Sequence, residues 1–302
     1  MPVDGRRYGR GVDAWGNDDK RSKEFQRVAE YLRTRMTDGT YGVGSFLPPQ
    51  RELVTEFGVS RDTIQRALRE LADEGWIQSR QGSGSRVIKT QRIQSSAPKA
   101  VRSRHGATLG HIISAAFEEP EVTLDVYTLT AESLDAHIRV QVERIHAREI
   151  APERIAMRLL LPDTTQPLPY PRVKGDKEDL RLQERLRAIS SRHTESLHGS
   201  LKDLRTEGKV PSVGFEIRHT PLVPPFKLYL INRTEALHGM YDVIERQIEL
   251  DDGEVVTALD VLGLGATLTH QVKDEEDPNA PGSVFVDNMQ TWFDSVWARL
   301  SE

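Results

Sequence analysis

The 302-residue chain contains no cysteine. Disulfides and thiolate metal sites are therefore excluded, and a reducing, cytoplasmic setting is expected. No stretch approaches the ~20 consecutive apolar residues of a membrane-spanning helix. The first residues lack the apolar core of a secretory signal, so a soluble, non-exported protein is expected. Internal repeats and low-complexity tracts are absent as well. The nine histidines are scattered. His193 and His198 lie five apart, which takes them off one helical face, so no metal site is expected. Glu118 with Glu119 and Asp251 with Asp252 are sequence neighbours and point apart, a poor geometry for acid/base work. No Ser/His/Asp order stands out. Neither a catalytic set nor a cofactor is expected.

Charge is sorted along the chain. Residues 1–104 hold 20 Lys+Arg against 13 Asp+Glu, and the remainder 21 against 33. A basic head suits contact with phosphates through counterion release, whereas an acidic body stays off a duplex. The length exceeds the roughly 100–200 residues of one domain, so two are expected. Residues 1–21, glycine-rich and aperiodic, read as a mobile tail whose Arg6, Arg7 and Arg10 could reach a minor groove.

The most informative stretch is FLPPQRELVTEFGVSRDTIQRALRELADEGWIQSRQGSGSRV, Phe46–Val87. Pro48 and Pro49 suit the first turn of a short helix with Leu53, Val54 and Phe57 on its apolar side, and Gly58 ends it. Ser60 is a good N-cap for the next helix. There Ile64, Ala67, Leu68 and Leu71 recur at the spacing of a buried stripe, up to a stop at Gly75. Two short strands, 76–80 and 85–89, flank Gln81–Gly84 as a wing. The spacing predicts helix, turn, helix and hairpin, an arrangement that places one helix in a major groove.

These elements resemble the GntR family of bacterial transcription regulators, whose winged helix-turn-helix carries the same LP-x-x-RELA, GVSR-T-x-R-ALR-L and EG-x-I-x-x-RQG-x-G segments. The resemblance extends upstream through Phe25, Val28, Ala29, Leu32 and Met36, the apolar stripe of a first helix. It implies an α+β winged helix-turn-helix domain over 22–89 and partnership with double-stranded operator DNA. It further implies DNA contacts from Arg51, Ser60, Arg61, Thr63, Gln65 and Arg66, and from Gln81, Gly82 and Ser83 of the wing. Arg66 and Arg69 suit a phosphate contact or a solvated face equally. Asp62 and Gln65 stand where the family more often has Ser or Thr and Arg. Glutamine favours an adenine edge where arginine favours guanine, so the operator is expected to differ from those of relatives.

Residues 90–107 lack an apolar period and read as a linker. From 108 to 302 the pattern changes to an α/β domain with a mixed sheet flanked by helices. Alternation at Val122, Leu124 and Val126, a helix over 131–149 and an apolar strand over 155–161 form a βαβ unit with parallel strands. A charged helix over 180–204 follows, then strands at 213–218, 227–232, 237–243 and 255–262. An acidic surface loop over 274–283 and an amphipathic helix over 284–300 close the chain. In that helix Val286, Met289, Phe293, Val296 and Leu300 face the core, with Trp292 and Trp297 at its edges. Gly263-Leu264-Gly265 lacks a third glycine and reads as a turn.

TLDVYTLTAESLDAHI, ERIAMRLLLPD and VGFEIRHTPLVPPFKLYLINRTEALHGMYDV together resemble one half of a phospholipase D-type domain. That superfamily carries His-x-Lys and a downstream Asp on its catalytic strand. Here the resemblance leaves Lys227 at the phosphate-binding place, Pro225 in place of the nucleophile and Asn232 in place of the Asp. A degenerate pocket reused as a sensor is implied, with Lys227, Tyr229 and Asn232 as effector contacts and a small, anionic ligand. The expected protein is a homodimeric transcription regulator. The alternatives are a DNA-tethered phosphodiesterase and a plasmid maintenance protein that needs no ligand.

Overall fold

The computed structural model describes residues 24–302 except 26, 30, 34, 37–39, 43, 74–75, 81–83, 88–92, 96–108, 251–252 and 262–266. The N-terminal tail, wing-tip residues Gln81, Gly82 and Ser83, most of the 90–107 segment and the Gly263–Gly265 turn lie outside the described residues.

The N-terminal unit is a winged helix-turn-helix. Helix α1 covers 24–36, followed by α2 Gln50–Phe57 and α3 Arg61–Asp73. Strands β1 Ile77–Arg80 and β2 Gly84–Val87 pair antiparallel as the wing. The apolar stripes read from the sequence meet in one core built around Leu32, Met36, Leu53, Ile64, Leu71 and Trp76. Gly58 closes α2 at φ 64°, a left-handed conformation that glycine adopts without steric cost, and its N–H caps the Val54 carbonyl. One detail departs from the sequence reading. Pro49 is the N-cap residue of α2, with extended ψ of 145°, so the two prolines precede the first turn.

The C-terminal unit is α/β. Its elements are β3 Ile93–Ser95, α4 Leu109–Ala116, β4 Glu121–Tyr127, α5 Glu132–His146, β5 Arg154–Pro162, β6 Arg172–Val173, α6 Arg181–Thr206, β7 Ser212–Thr220, β8 Phe226–Ile231, β9 Glu235–Met240, β10 Val243–Glu249, β11 Val255–Val261, β12 Leu268–Val272 and α7 Pro281–Arg299. Seven strands form a mixed sheet in the order β3-β12-β9-β8-β4-β5-β7. The β4–α5–β5 and β5–α6–β7 units have parallel strands, whereas β8 runs antiparallel to β4. The sheet is therefore mixed and flanked by helices on both faces. On one face α4, α5 and α6 bury Ile113, Leu134, Ile138, Leu197 and Leu201 against Val122, Leu124 and Ile155. On the other, α7 lays Val286, Phe293 and Val296 over Tyr127, Leu160, Leu228 and Leu230.

Alternation along β8 sorts its side chains between the faces: Leu228 and Leu230 go to α7, Tyr229 and Ile231 to the α5 side. Lys227 shares the α5 face by the same period.

A guanidinium ties α7 to the sheet. Arg158 of β5 donates to both Asp125 oxygens at 2.6 and 2.5 Å and to Asp294 of α7 at 2.6 Å. Gln290 adds a donor to Asp125 at 2.8 Å. The Arg158 plane also lies over the rings of Phe293 and Trp297 at 5.0 and 5.4 Å, so cation–π attraction supports the pair.

Several elements differ from the sequence reading. The expected strand over 237–243 is two strands, split at Tyr241 and Asp242. β9 stays in the main sheet, while β10 joins β11 and β6 in a separate three-stranded sheet. Within the 90–107 segment, β3 pairs parallel to β12 at the sheet edge. Helix α4 carries Leu109, Ile112, Ile113 and Ala116 at helical spacing, all buried.

Candidate functional site

Two regions carry the expected site residues. The first is the exposed side of α3. Ser60 is its N-cap, and its hydroxyl accepts from the Thr63 N–H at 3.1 Å and shares a hydrogen bond with Thr63 Oγ1 at 2.8 Å. Thr63 is buried and its hydroxyl turned to the cap, so these two residues build the helix start. Arg61, Gln65 and Arg69, spaced by four, form one row along the helix, and Arg61 and Arg69 are exposed. Arg66 is exposed too, but its guanidinium sits 4.1 Å over the Phe25 ring of α1. Arg51 is exposed on α2. The structure thus brings Arg51, Arg61, Gln65 and Arg66 to the surface of the helix-turn-helix, whereas Gln81, Gly82 and Ser83 lie outside the described residues.

The second region is a cavity of ≈ 80 Å³ in the C-terminal unit. It opens beyond the carboxyl end of β4, where the β4–α5 loop meets the first turn of α5, the start of α6 and the separate β10–β11 hairpin. Its wall is half apolar, with Leu186 and Ile189 from α6, and half polar, with Thr128, Glu132, Lys227 and Arg246. Arg246 is held by Asp260 through contacts of 2.8 and 2.6 Å. Tyr241 fixes the loop: its hydroxyl bonds Thr128 Oγ1 at 3.0 Å and accepts from the Leu129 N–H at 3.2 Å.

Lys227 is 2% exposed and lines this cavity. Among the described residues its ammonium has no hydrogen bond or ion pair, and its recorded contact is the Tyr241 ring at 5.8 Å. Burial lowers the Lys227 pKa to about 8, with the Glu132 carboxylate pulling the other way. Behind it, His137 of α5 is pushed down to about 3, first by burial and then by the Lys227 charge. A histidine so placed is neutral at pH 7.

The other two expected effector contacts are not brought to the cavity. Tyr229 packs in the core under α5. Asn232 stands at the β8–β9 turn with φ 49°, and its side chain accepts from the Thr123 N–H at 2.8 Å while its own N–H donates to the Thr123 carbonyl. The turn geometry uses the asparagine; the cavity does not.

A boundary contact absent from the sequence reading links the two regions. Trp76, between α3 and the wing, donates its indole N–H to Glu132 Oε1 at 3.1 Å. Arg33 of α1 lies 3.9 Å from the same oxygen and donates to Glu70 of α3 at 3.0 Å. Arg192 of α6 reaches across to Glu70 at 2.8 Å. Burial alone would raise the Glu70 pKa, but Arg33 and Arg192 outweigh it and hold the carboxyl below its ordinary value. These pairs are 37 to 122 positions apart in sequence, and no periodicity announces them.

His193 and Asp135 form a buried pair at 2.9 Å that joins α6 to α5. No group of three or more metal-ligating side chains occurs among the described residues. No helix among them is long and apolar enough to cross a membrane.

Comparison with known proteins places the N-terminal unit. Residues 25–87 match the family described as bacterial regulatory proteins, gntR family. An uncharacterized HTH-type transcriptional regulator of Rhizobium meliloti is 34% identical over 86 residues, which are 28% of this chain and 34% of the relative. The histidine utilization repressor of Klebsiella aerogenes is 29% identical over 135 residues, 39% of this chain and 56% of the relative. Among solved structures, a GntR family transcriptional regulator from Listeria monocytogenes is 34% identical over 21% of this chain and 56% of that one, with a TM-score of 0.21. The chain thus spans well under two thirds of the length of the curated relatives it matches.

Proposed function

With residues 25–87 a gntR-family helix-turn-helix domain, we propose that the protein is a sequence-specific, DNA-binding transcription regulator whose C-terminal domain receives a small-molecule effector. The observation that carries this reading is the row Arg61, Gln65 and Arg69 on α3, with both arginines exposed, flanked by Arg51 and backed by a charge balance that is basic only in the N-terminal third. A row at that spacing meets base edges near the helix start and phosphates further along.

A homodimer presents two such helices to half-sites about one helical turn apart, so the operator is pseudo-palindromic. The C-terminal α/β domain supplies the dimer contacts and the effector input. A phosphodiesterase role has less support, because Pro225 offers no nucleophile and Asn232 is engaged by the Thr123 backbone.

Selection of bound sequences from random duplex DNA tests the proposal. An enriched inverted repeat, bound by the wild type and lost with Arg61→Ala, is the expected result. Uniform binding across all sequences would leave an architectural DNA-binding role instead.

A further inference from the structure

A protein interior leaves almost no charged group without a partner, because desolvation of an ammonium costs far more than an ordinary side-chain hydrogen bond returns. Lys227 is such a group. It is 2% exposed, it makes no hydrogen bond or ion pair among the described residues, and it borders an open space. Glu132 attracts it, but among the described residues no neighbour makes an ion pair with it. Asp260 is committed to Arg246. Glu132 accepts from Trp76 across the domain boundary. His137 is kept neutral, its protonated form disfavoured first by burial and then by the Lys227 charge.

Resting on the regulator reading above, we propose that this cavity is the effector site and that it takes a small organic anion, with the head group on the Lys227 ammonium and an aliphatic body against Leu186 and Ile189. The volume of ≈ 80 Å³ has room for several waters, at about 10–15 Å³ each on the same measure, and so for a small head group. Carboxylates and phosphate monoesters share the required chemistry. Glu132 gives the site its outlet. It lines the cavity and holds Trp76, so negative charge arriving on Lys227 removes the attraction that draws Glu132 inward and drives its carboxylate towards Trp76 and Arg33. The occupied cavity therefore tightens the contact between the sensing and DNA-reading units.

The test is thermal unfolding of the full chain at pH 7 with two sets of probes, pyruvate and 2-oxobutyrate in one and inorganic phosphate and glycerol 3-phosphate in the other. At about 10 mM, members of one set should raise Tm by about 3 °C or more, and the set that does so identifies the head group. Lys227→Met and Ile189→Phe, the second narrowing the cavity from α6, should each abolish that shift. Without any probe Lys227→Met should melt at or above the wild type, because an apolar group replaces a buried charge. The proposal is overturned if no probe in either set stabilises the wild type, if Lys227→Met responds like the wild type, or if that variant melts lower without probes. Operator selection, run on the wild type with no probe present, fails or succeeds independently. Its failure would sink the regulator reading and leave the anion site standing.

Discussion

Trp76 of the winged unit and Glu132, the first residue of α5, share a hydrogen bond of 3.1 Å across the boundary between the two halves of the protein. The indole is 2% exposed, so the bond forms in a dry environment, and its acceptor is a carboxylate. Hydrogen bonds to charged groups contribute about 1.5–3 kcal/mol each.

Trp76→Phe should therefore lower stability by at least a comparable amount, because it removes the donor and also part of a fully buried indole. Glu132→Ala should cost similarly, and the double variant should cost less than the sum. A double-mutant cycle by urea denaturation with a coupling of at least about 0.5 kcal/mol is expected. Additive losses would mean that the two side chains do not meet in solution.

On the DNA face, Arg61→Ala should weaken operator binding by about 1–3 kcal/mol without altering the fold, and Arg51→Ala by a similar or smaller amount. Gln65→Arg should change base preference at one symmetric pair of positions. Fluorescence anisotropy at fixed salt reads all three; unchanged preference for Gln65→Arg would show that this side chain does not face the groove.

Ser60 tests a different property of the same helix. Its hydroxyl caps the Thr63 N–H, so Ser60→Ala should destabilise the N-terminal unit by about 1 kcal/mol, whereas Ser60→Asp should restore most of the loss. Circular dichroism melts give the comparison. A variant with lower operator affinity and unchanged melting would assign the hydroxyl to DNA instead of to the cap.

His137 sets an acid limb. Its pKa falls from 6.5 to about 3 on folding, so below pH 6.5 the unfolded chain takes up a proton that the folded one refuses. The stability contribution is present above pH 6.5 and is lost as pH falls towards 3, with a slope of up to about 1.4 kcal/mol per pH unit. His137→Leu should flatten that part of the stability profile measured by denaturant titration; an unchanged slope would place the acid sensitivity elsewhere.

Gly282, in the first turn of α7, lies so close to the Val272 carbonyl that an added Cβ would collide with backbone. Gly282→Ala should cost about 1–3 kcal/mol through displacement of α7 from β12. Its melting temperature, compared with that of Gly199→Ala on an open stretch of α6, isolates the close approach from helix propensity.

The winged unit was legible because each signal there is local. Ser60 precedes its stripe, Gly58 ends its helix, and Ile64, Ala67, Leu68 and Leu71 repeat within one window. The β4–α5–β5 unit was legible for the same reason. Strand β12 was not: of its five residues only Leu268 and Val272 are apolar, and its inward partner is His270. The division of 237–243 into β9 and β10 turns on Tyr241, whose hydroxyl is drawn back to Thr128, a tertiary cause with no local mark. Helix α4 is the opposite case, since Leu109, Ile112, Ile113 and Ala116 carry its period openly. Lys227 was marked by resemblance alone. Asn232 was marked by the same resemblance, yet a left-handed turn claims it.

The Glu70 node and the proposed DNA contact differ in how far salt weakens them. Contacts with DNA phosphates weaken steeply as ionic strength rises, because each releases condensed counterions. Across the boundary Glu70 meets Arg192, 15% and 25% exposed, and mobile ions screen such a partly buried pair less than fully exposed charges. If the proposed DNA contact holds, salt therefore releases the duplex at concentrations that leave the two halves joined.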